Sequence, residues 1–211
     1  MKTNELISLL AEDAPVRMRL GRMLAMALAF GIAFSTVLMI MTVGMRSDMA
    51  DALTTTRVLF KILLTLSLAI VACNLVFRIG RPGASNRMLG WSLLAPLVAL
   101  LAAIVSELAV VPEEAWSASM MGHHPAFCLF FIPILSLVPL ASFLAALKNG
   151  APERPGLAGA AAGLAAGAIA AAIYAWHCPD DSPLFLAAWY APTIALMTGI
   201  GALLGKRFLR W

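Results

Sequence analysis

The side chains of this chain that suit metal or thiol chemistry cluster in two short stretches. "AWHCPDDSPLF" (Ala175 to Phe185) sets His177, Cys178, Asp180 and Asp181 together where an alanine-rich apolar run stops. "GHHPAFC" (Gly122 to Cys128) brings His123, His124 and Cys128 to the start of another run. Thiolate and imidazole are ligands that suit zinc, cadmium or copper(I). Two thiols in an oxidising compartment can instead join as a disulfide. From the residues, three readings stay open. Cys128 and Cys178 form a disulfide or thiol switch, or they bind a thiophilic metal with His123, His124 and His177, or they are unrelated and the histidines line a wet rim. The spacing H-H-x3-C with a distant H-C matches no strict structural-zinc pattern. The chain has no C-x-x-C, which argues against a membrane thiol oxidoreductase. It also has no glycine-rich turn following a soluble strand that could cradle a cofactor. The expectation is a non-enzyme with no catalytic residues and no required cofactor.

Which compartment these groups face depends on the elements that carry them. The chain has 211 residues, 62% hydrophobic and 12% charged, with a mean hydropathy of +0.90. Soluble domains carry about 25% charge, so this composition belongs in a membrane. Apolar runs of the length needed to cross a bilayer as helices occupy roughly 23–44, 58–77, 91–111, 126–147, 157–176 and 186–205. None alternates as a membrane barrel strand does. The first run is too long for a signal-peptide core, follows Glu5, Glu12 and Asp13, and precedes no A-x-A site, so it reads as a retained helix. The fold class is all-α, a polytopic membrane protein of six transmembrane helices.

The basic residues orient it. With the N-terminus inside, Lys2, Arg17, Arg19, Arg22, Arg78, Arg81, Arg87, Lys148, Arg154, Lys206, Arg207 and Arg210 are inside, which leaves Arg46, Arg57 and Lys61 of the fifteen at the outer side. By the positive-inside rule both termini are cytoplasmic. This asymmetry accounts for the net charge of +4 without any direct nucleic-acid partner. Both cysteine motifs then face outward. Two parts follow: a cytoplasmic tail, residues 1–21, and a six-helix bundle, residues 22–211.

The connections are short, so the tail is the one sizeable inner segment. In "MKTNELISLLAEDAPVRMRLG", Thr3 or Asn4 can cap a helix whose first turn holds Glu5, and Pro15 ends it. Ten residues make a marginal helix alone. Leu6, Ile7 and Leu10 offer a partner's groove an apolar face, and the same face could simply rest on membrane lipid. Within the bundle, Gly159, Gly163 and Gly167, echoed by Gly201 and Gly205, read as close helix packing. Lys61 and Glu107 are the two clear ionisable residues inside spans, at similar depth near the outer ends. They form a membrane ion pair, or each snorkels to the interface. Cys73 and Asn74 read as packing. A small transporter or metal exporter is the rival reading, disfavoured because charges near the midplane are lacking.

The tail "ELISLLAEDAPV", the stretch from "FCLFFIPILSLVPLASF" through "AWHCPDDSPLFLAAWY", and the ending "GALLGKRFLRW" resemble the NrsF family of six-helix bacterial inner-membrane anti-sigma factors. The resemblance covers nearly the whole chain and is most specific in its second half. It implies a protein that holds an extracytoplasmic-function sigma factor inactive at the membrane and releases it under heavy-metal or oxidative stress. On the same resemblance Cys128 in "FCLFFIP" and Cys178 in "WHCPDDSP" are sensor thiols, and a thiophilic metal ion is a signal rather than a cofactor. It also implies a tail that touches the sigma factor, with Asp13 and Pro15 joining Leu6, Ile7 and Leu10. His177 belongs to the second motif, while His123 and His124 only precede the first.

Overall fold

A computed structural model describes residues 19–80, 87–150 and 152–210, and every regular element among them is helical. Leu6, Ile7, Leu10, Asp13 and Pro15, and with them residues 1–18 of the expected sigma-binding tail, lie outside the described residues. The elements are α1 Leu20–Thr42, α2 Met49–Ala52, α3 Thr56–Ile79, α4 Arg87–Ser92, α5 Leu94–Val110, α6 Glu113–Met121, α7 Pro125–Lys148, α8 Pro155–Tyr174 and α9 Pro183–Phe185. A π-helical turn, Leu186–Tyr190, then leads into α10, Ala191–Phe208. Six stretches are long and apolar enough to cross a membrane; five agree with an expected span to within three residues at each end, and the fourth, Glu113–Lys148, contains the expected 126–147 but begins earlier because it takes in α6.

The centre of the bundle is α8. Its crossing residues are 67% buried, against 11% for Gly90–Val110. Alanine and glycine make this possible, because lipid gives helices no hydrophobic reason to associate and close van der Waals contact must do the work. The glycine stripe meets α10 directly. A methyl group on Gly163 would overlap the Met197 carbonyl, and one on Gly159 would lie 2.6 Å from Gly205 Cα. α3 and α7 pack on the other flanks of α8, and α1 packs on α7. α5 stands at the edge, where an apolar crevice of about 420 Å³ separates it from α3 and α10.

The proline in α7 has its own partner. Pro139 lacks an N–H, so the carbonyl of Leu135 one turn earlier loses its helical donor. Ser35 of α1 supplies the missing bond, its hydroxyl donating to Leu135 O at 2.7 Å. Gly31, one turn from Ser35, lets α1 lie against the proline ring, since a Cβ there would sit 3.0 Å from Pro139 Cα. Near the start of the last crossing, Pro192 likewise has no N–H to return to Ala188, and the chain widens into the π turn, with Ala191 N bonding back to Leu186 O.

One segment read as a loop is partly helical. Residues 112–125 contain α6, which starts after Pro112 with Glu113 and Glu114 in its first turn and stops at Gly122, φ 59°. Gly122 is required both by that left-handed backbone and by space, since a Cβ would meet the Asp180 carboxylate carbon at 2.6 Å. At the opposite end of the bundle, Leu20 lies between Gly80 and Gly150. The exposed cations Arg19, Arg22, Arg78, Lys148, Arg154, Lys206, Arg207 and Arg210 share that end, whereas Arg46, Arg57 and Lys61 sit at the cysteine end.

Candidate functional site

Cys128 sits one turn into α7, held at the end of the bundle by Pro125 at the helix start. Cys178 lies in the connection between α8 and α9. There the last turn of α8 closes on Tyr174 O, which accepts from His177 N at 2.9 Å and Cys178 N at 3.1 Å. The structure brings these two cysteines together. Both are free thiols, both are buried in one core cluster, and Cys128 neighbours Cys178 there. Tyr174 is directed at Cys128. The buried Tyr190 hydroxyl makes no close hydrogen bond and faces the Cys178 sulfur. Cys178 is held below the ordinary thiol range, first by the neighbouring Cys128 side chain, then by the Lys61 ammonium and the Asp180 N–H, with burial opposing.

The turn that carries Cys178 touches every other connection at its end of the bundle. Trp176 O accepts from Arg46 N at 3.2 Å, and His177 Nδ1 lies 3.0 Å from Gly44 O. A carbonyl only accepts, so that nitrogen carries the ring proton. Arg46 forks between Asp48, at 2.7 and 2.8 Å, and Asp181, at 2.9 Å. The guanidinium hydrogen bond holds the exposed Asp48 carboxyl down to about 2. Asp180 accepts from His123 N at 3.0 Å and from its ring at 2.7 Å, which raises the His123 pKa. Ser182 donates to Glu107 Oε2 at 2.8 Å and accepts from Leu184 N at 3.1 Å, capping α9.

Lys61 and Glu107 are both buried at this end, but not with each other. Lys61 Nζ bonds Cys178 O at 2.7 Å and Asp180 O at 3.3 Å and pairs with the Asp181 carboxylate. Glu107 pairs with Arg57 at 3.3 Å. The expected Lys61–Glu107 pair is thus replaced by two others, because the 177–184 segment comes between the helices and offers each group a nearer partner.

The histidines do not join the thiols. His123 is spent on Asp180, His177 on Gly44 O, and the exposed His124 ring lies tilted against Phe127, with centroids 5.5 Å apart. Among the described residues no three His, Cys, Asp or Glu side chains are grouped to hold a metal ion. A polar cleft of about 600 Å³, lined by Arg57, Gly122, His123, Pro179, Asp180 and Ser182, opens above the turn. Sequence reasoning missed Arg46 and the two tyrosines as members of the site. The available signal was charge: the three cations that break the inside bias each find an acid here.

Residues 9–211 match the family model described as NrsF, negative regulator of sigma F. Along its whole length the chain is 33% identical, over 213 residues, to the probable anti-sigma-F factor NrsF of Azospira oryzae, all of which is covered. It is also 33% identical, over 215 residues and again with both chains fully covered, to the anti-sigma-F factor NrsF of Caulobacter vibrioides. No solved structure matches it.

Proposed function

Because the chain belongs to the NrsF family of negative regulators of sigma F, we propose that it is a membrane anti-sigma factor that holds an extracytoplasmic-function sigma factor through residues 1–21 and lets it go when its outward-facing thiols react. In this reading both termini are cytoplasmic, the membrane is the bacterial inner membrane, and the sigma factor docks on Leu6, Ile7, Leu10, Asp13 and Pro15. The signal is a thiophilic metal ion or an oxidant that changes the bonding of Cys128 and Cys178.

The meeting of Cys128 with Cys178, on a turn tied to α3, α5, the α6–α7 connection and the α1–α2 connection, carries this reading. New bonding at the sulfurs must move that turn, and the turn cannot move without its tethers. Rigid, tightly packed helices pass such shifts on as small displacements. Release needs little: a tenfold loss of affinity for the sigma factor corresponds to about 1.4 kcal/mol of coupling.

Two experiments test it. Co-purification in mild detergent with the sigma factor encoded beside the gene should succeed with the full chain and fail when residues 2–20 are removed. The double variant Cys128→Ser/Cys178→Ser should still capture the sigma factor but no longer release it under metal or oxidant stress. Normal induction in that variant removes the sensor role, and capture by neither form removes the anti-sigma role.

A further inference from the structure

We propose that Lys61 is the positioning residue of the thiol pair: its ammonium fixes the backbone of the Cys178–Asp181 turn and so keeps the Cys178 sulfur against Cys128. The proposal rests on reading the two cysteines as the reacting pair. Lys61 is fully buried, one of the largest side chains among the described residues to be so. An ammonium taken out of water costs several kcal/mol unless it is both hydrogen-bonded and paired with an opposite charge, and here it is both. Cys178 O, at 2.7 Å, Asp180 O, at 3.3 Å, and the Asp181 carboxylate surround it.

The need is the turn's own. Residues 178–181 lie between α8 and α9 and have no helix or strand to satisfy their carbonyls, yet Cys178 and Asp180 are buried. Buried backbone oxygens require donors. A side chain reaching in from α3 supplies two of those bonds at once and neutralises the acid beside them. Without the ammonium, two carbonyls and a carboxylate face one another across an apolar gap, and the turn has to swing toward water with Cys178 on it. Asp181 would remain tethered to Arg46 at 2.9 Å and Asp180 to His123. The turn would therefore shift rather than unravel. Cys128 belongs to α7, makes no bond to Lys61, and stays in place.

The test uses the full chain in mild detergent and the azo oxidant diamide. Diamide takes two electrons and two protons from a pair of thiols, leaving a disulfide and the corresponding hydrazine. The rate of Cys128–Cys178 disulfide formation is read by mass spectrometry for wild type, Lys61→Met and Lys61→Arg. Cys73, buried in a separate core cluster, reports general loosening through its alkylation by N-ethylmaleimide. Lys61→Met is expected to slow the disulfide by about tenfold or more, as misplaced reacting atoms do, with Cys73 labelling unchanged. Lys61→Arg, which keeps the charge and the donors, should recover most of the rate. Should the methionine variant fail to fold, Lys61→Gln, which keeps a shorter donor, takes its place with a smaller slowing expected. A wild-type rate in the substituted protein, Cys73 labelling that rises in step with the change, or equal slowing by methionine and arginine would each overturn the assignment. No sigma factor enters the measurement, so it stands or falls separately from the regulatory reading.

Discussion

The Glu107 carboxylate accepts a hydrogen bond from the Ser182 hydroxyl at 2.8 Å, joining the most lipid-exposed helix of the bundle to the segment that carries Cys178. Glu107 Oε2 also lies 3.3 Å from Leu184 N, and Oε1 faces an Arg57 guanidinium that is 58% exposed. The bonds to the Ser182–Leu184 turn therefore hold α5 more firmly than the ion pair does. Glu107→Gln keeps an oxygen for both donors and gives up an ion pair whose arginine stands largely in solvent, so it should cost about 1 kcal/mol or less. Glu107→Ala strands the buried hydroxyl and should cost about 1–3 kcal/mol. Unfolding in mixed micelles at rising dodecyl sulfate fraction gives both numbers, and equal losses would contradict this ranking.

Ser35→Ala is expected to destabilise the protein by about 1–3 kcal/mol, because Leu135 O then has neither its helical donor, lost to Pro139, nor a substitute. Ser136→Ala removes only a back-bond from the same helix, to Ile132 O, and should cost less. The same micelle titration compares them. If Ser35 proves the cheaper of the two, the proline-repair account is wrong.

The glycines divide by what a methyl group would meet. Gly163→Ala drives a methyl into the Met197 carbonyl, a backbone atom that yields only if α8 and α10 separate, so a loss of about 1–3 kcal/mol or more is expected. Gly199→Ala opens into free space and should be neutral or slightly stabilising through helix propensity, by up to about 1 kcal/mol. Gly150→Ala meets a methyl of Leu20, which can rotate away, and should fall between them. Thermal unfolding of the three variants in one detergent decides the order.

The tie between the α6–α7 connection and the cysteine turn should depend on pH. His123 is 79% exposed at its side chain, and its pKa is raised from the ordinary 6.5 by the hydrogen bond to Asp180. A raised folded-state pKa means that the folded form binds the proton more tightly than the unfolded chain. The contribution is complete below about 6.5 and fades as pH climbs through the raised value. Stability of wild type relative to His123→Gln should therefore be level just below the ordinary histidine value and fall as pH rises above it. A difference that grows with pH would reverse the assignment.

Much of the architecture was legible because a bilayer imposes one rule on every residue: long apolar runs must be helical. The six spans, the packing role of Gly159, Gly163 and Gly201, and the sorting of cations between the two ends follow from run length, side-chain size and charge, all local properties. The two cysteine motifs were visible on the same grounds, as soft ligands in a chain with few of them. α6 was not, since its mixed "EEAWSASMM" carries no apolar run to betray a helix.

Partnership was decided elsewhere. Lys61 and Glu107 were both recognised as ionisable residues inside spans, yet which acid meets which base depends on the path of residues 177–184, a segment with no periodicity of its own. The same path puts His123 on Asp180 and His177 on Gly44 O, diverting two candidate metal ligands, and sets Cys178 beside Cys128. The sequence determined which groups the protein must bury and at which end of its helices they lie. Only the tertiary structure decided which of them touch, because a hydrogen bond reaches about 3 Å and the residues it joins here are separated by up to 135 positions in the chain.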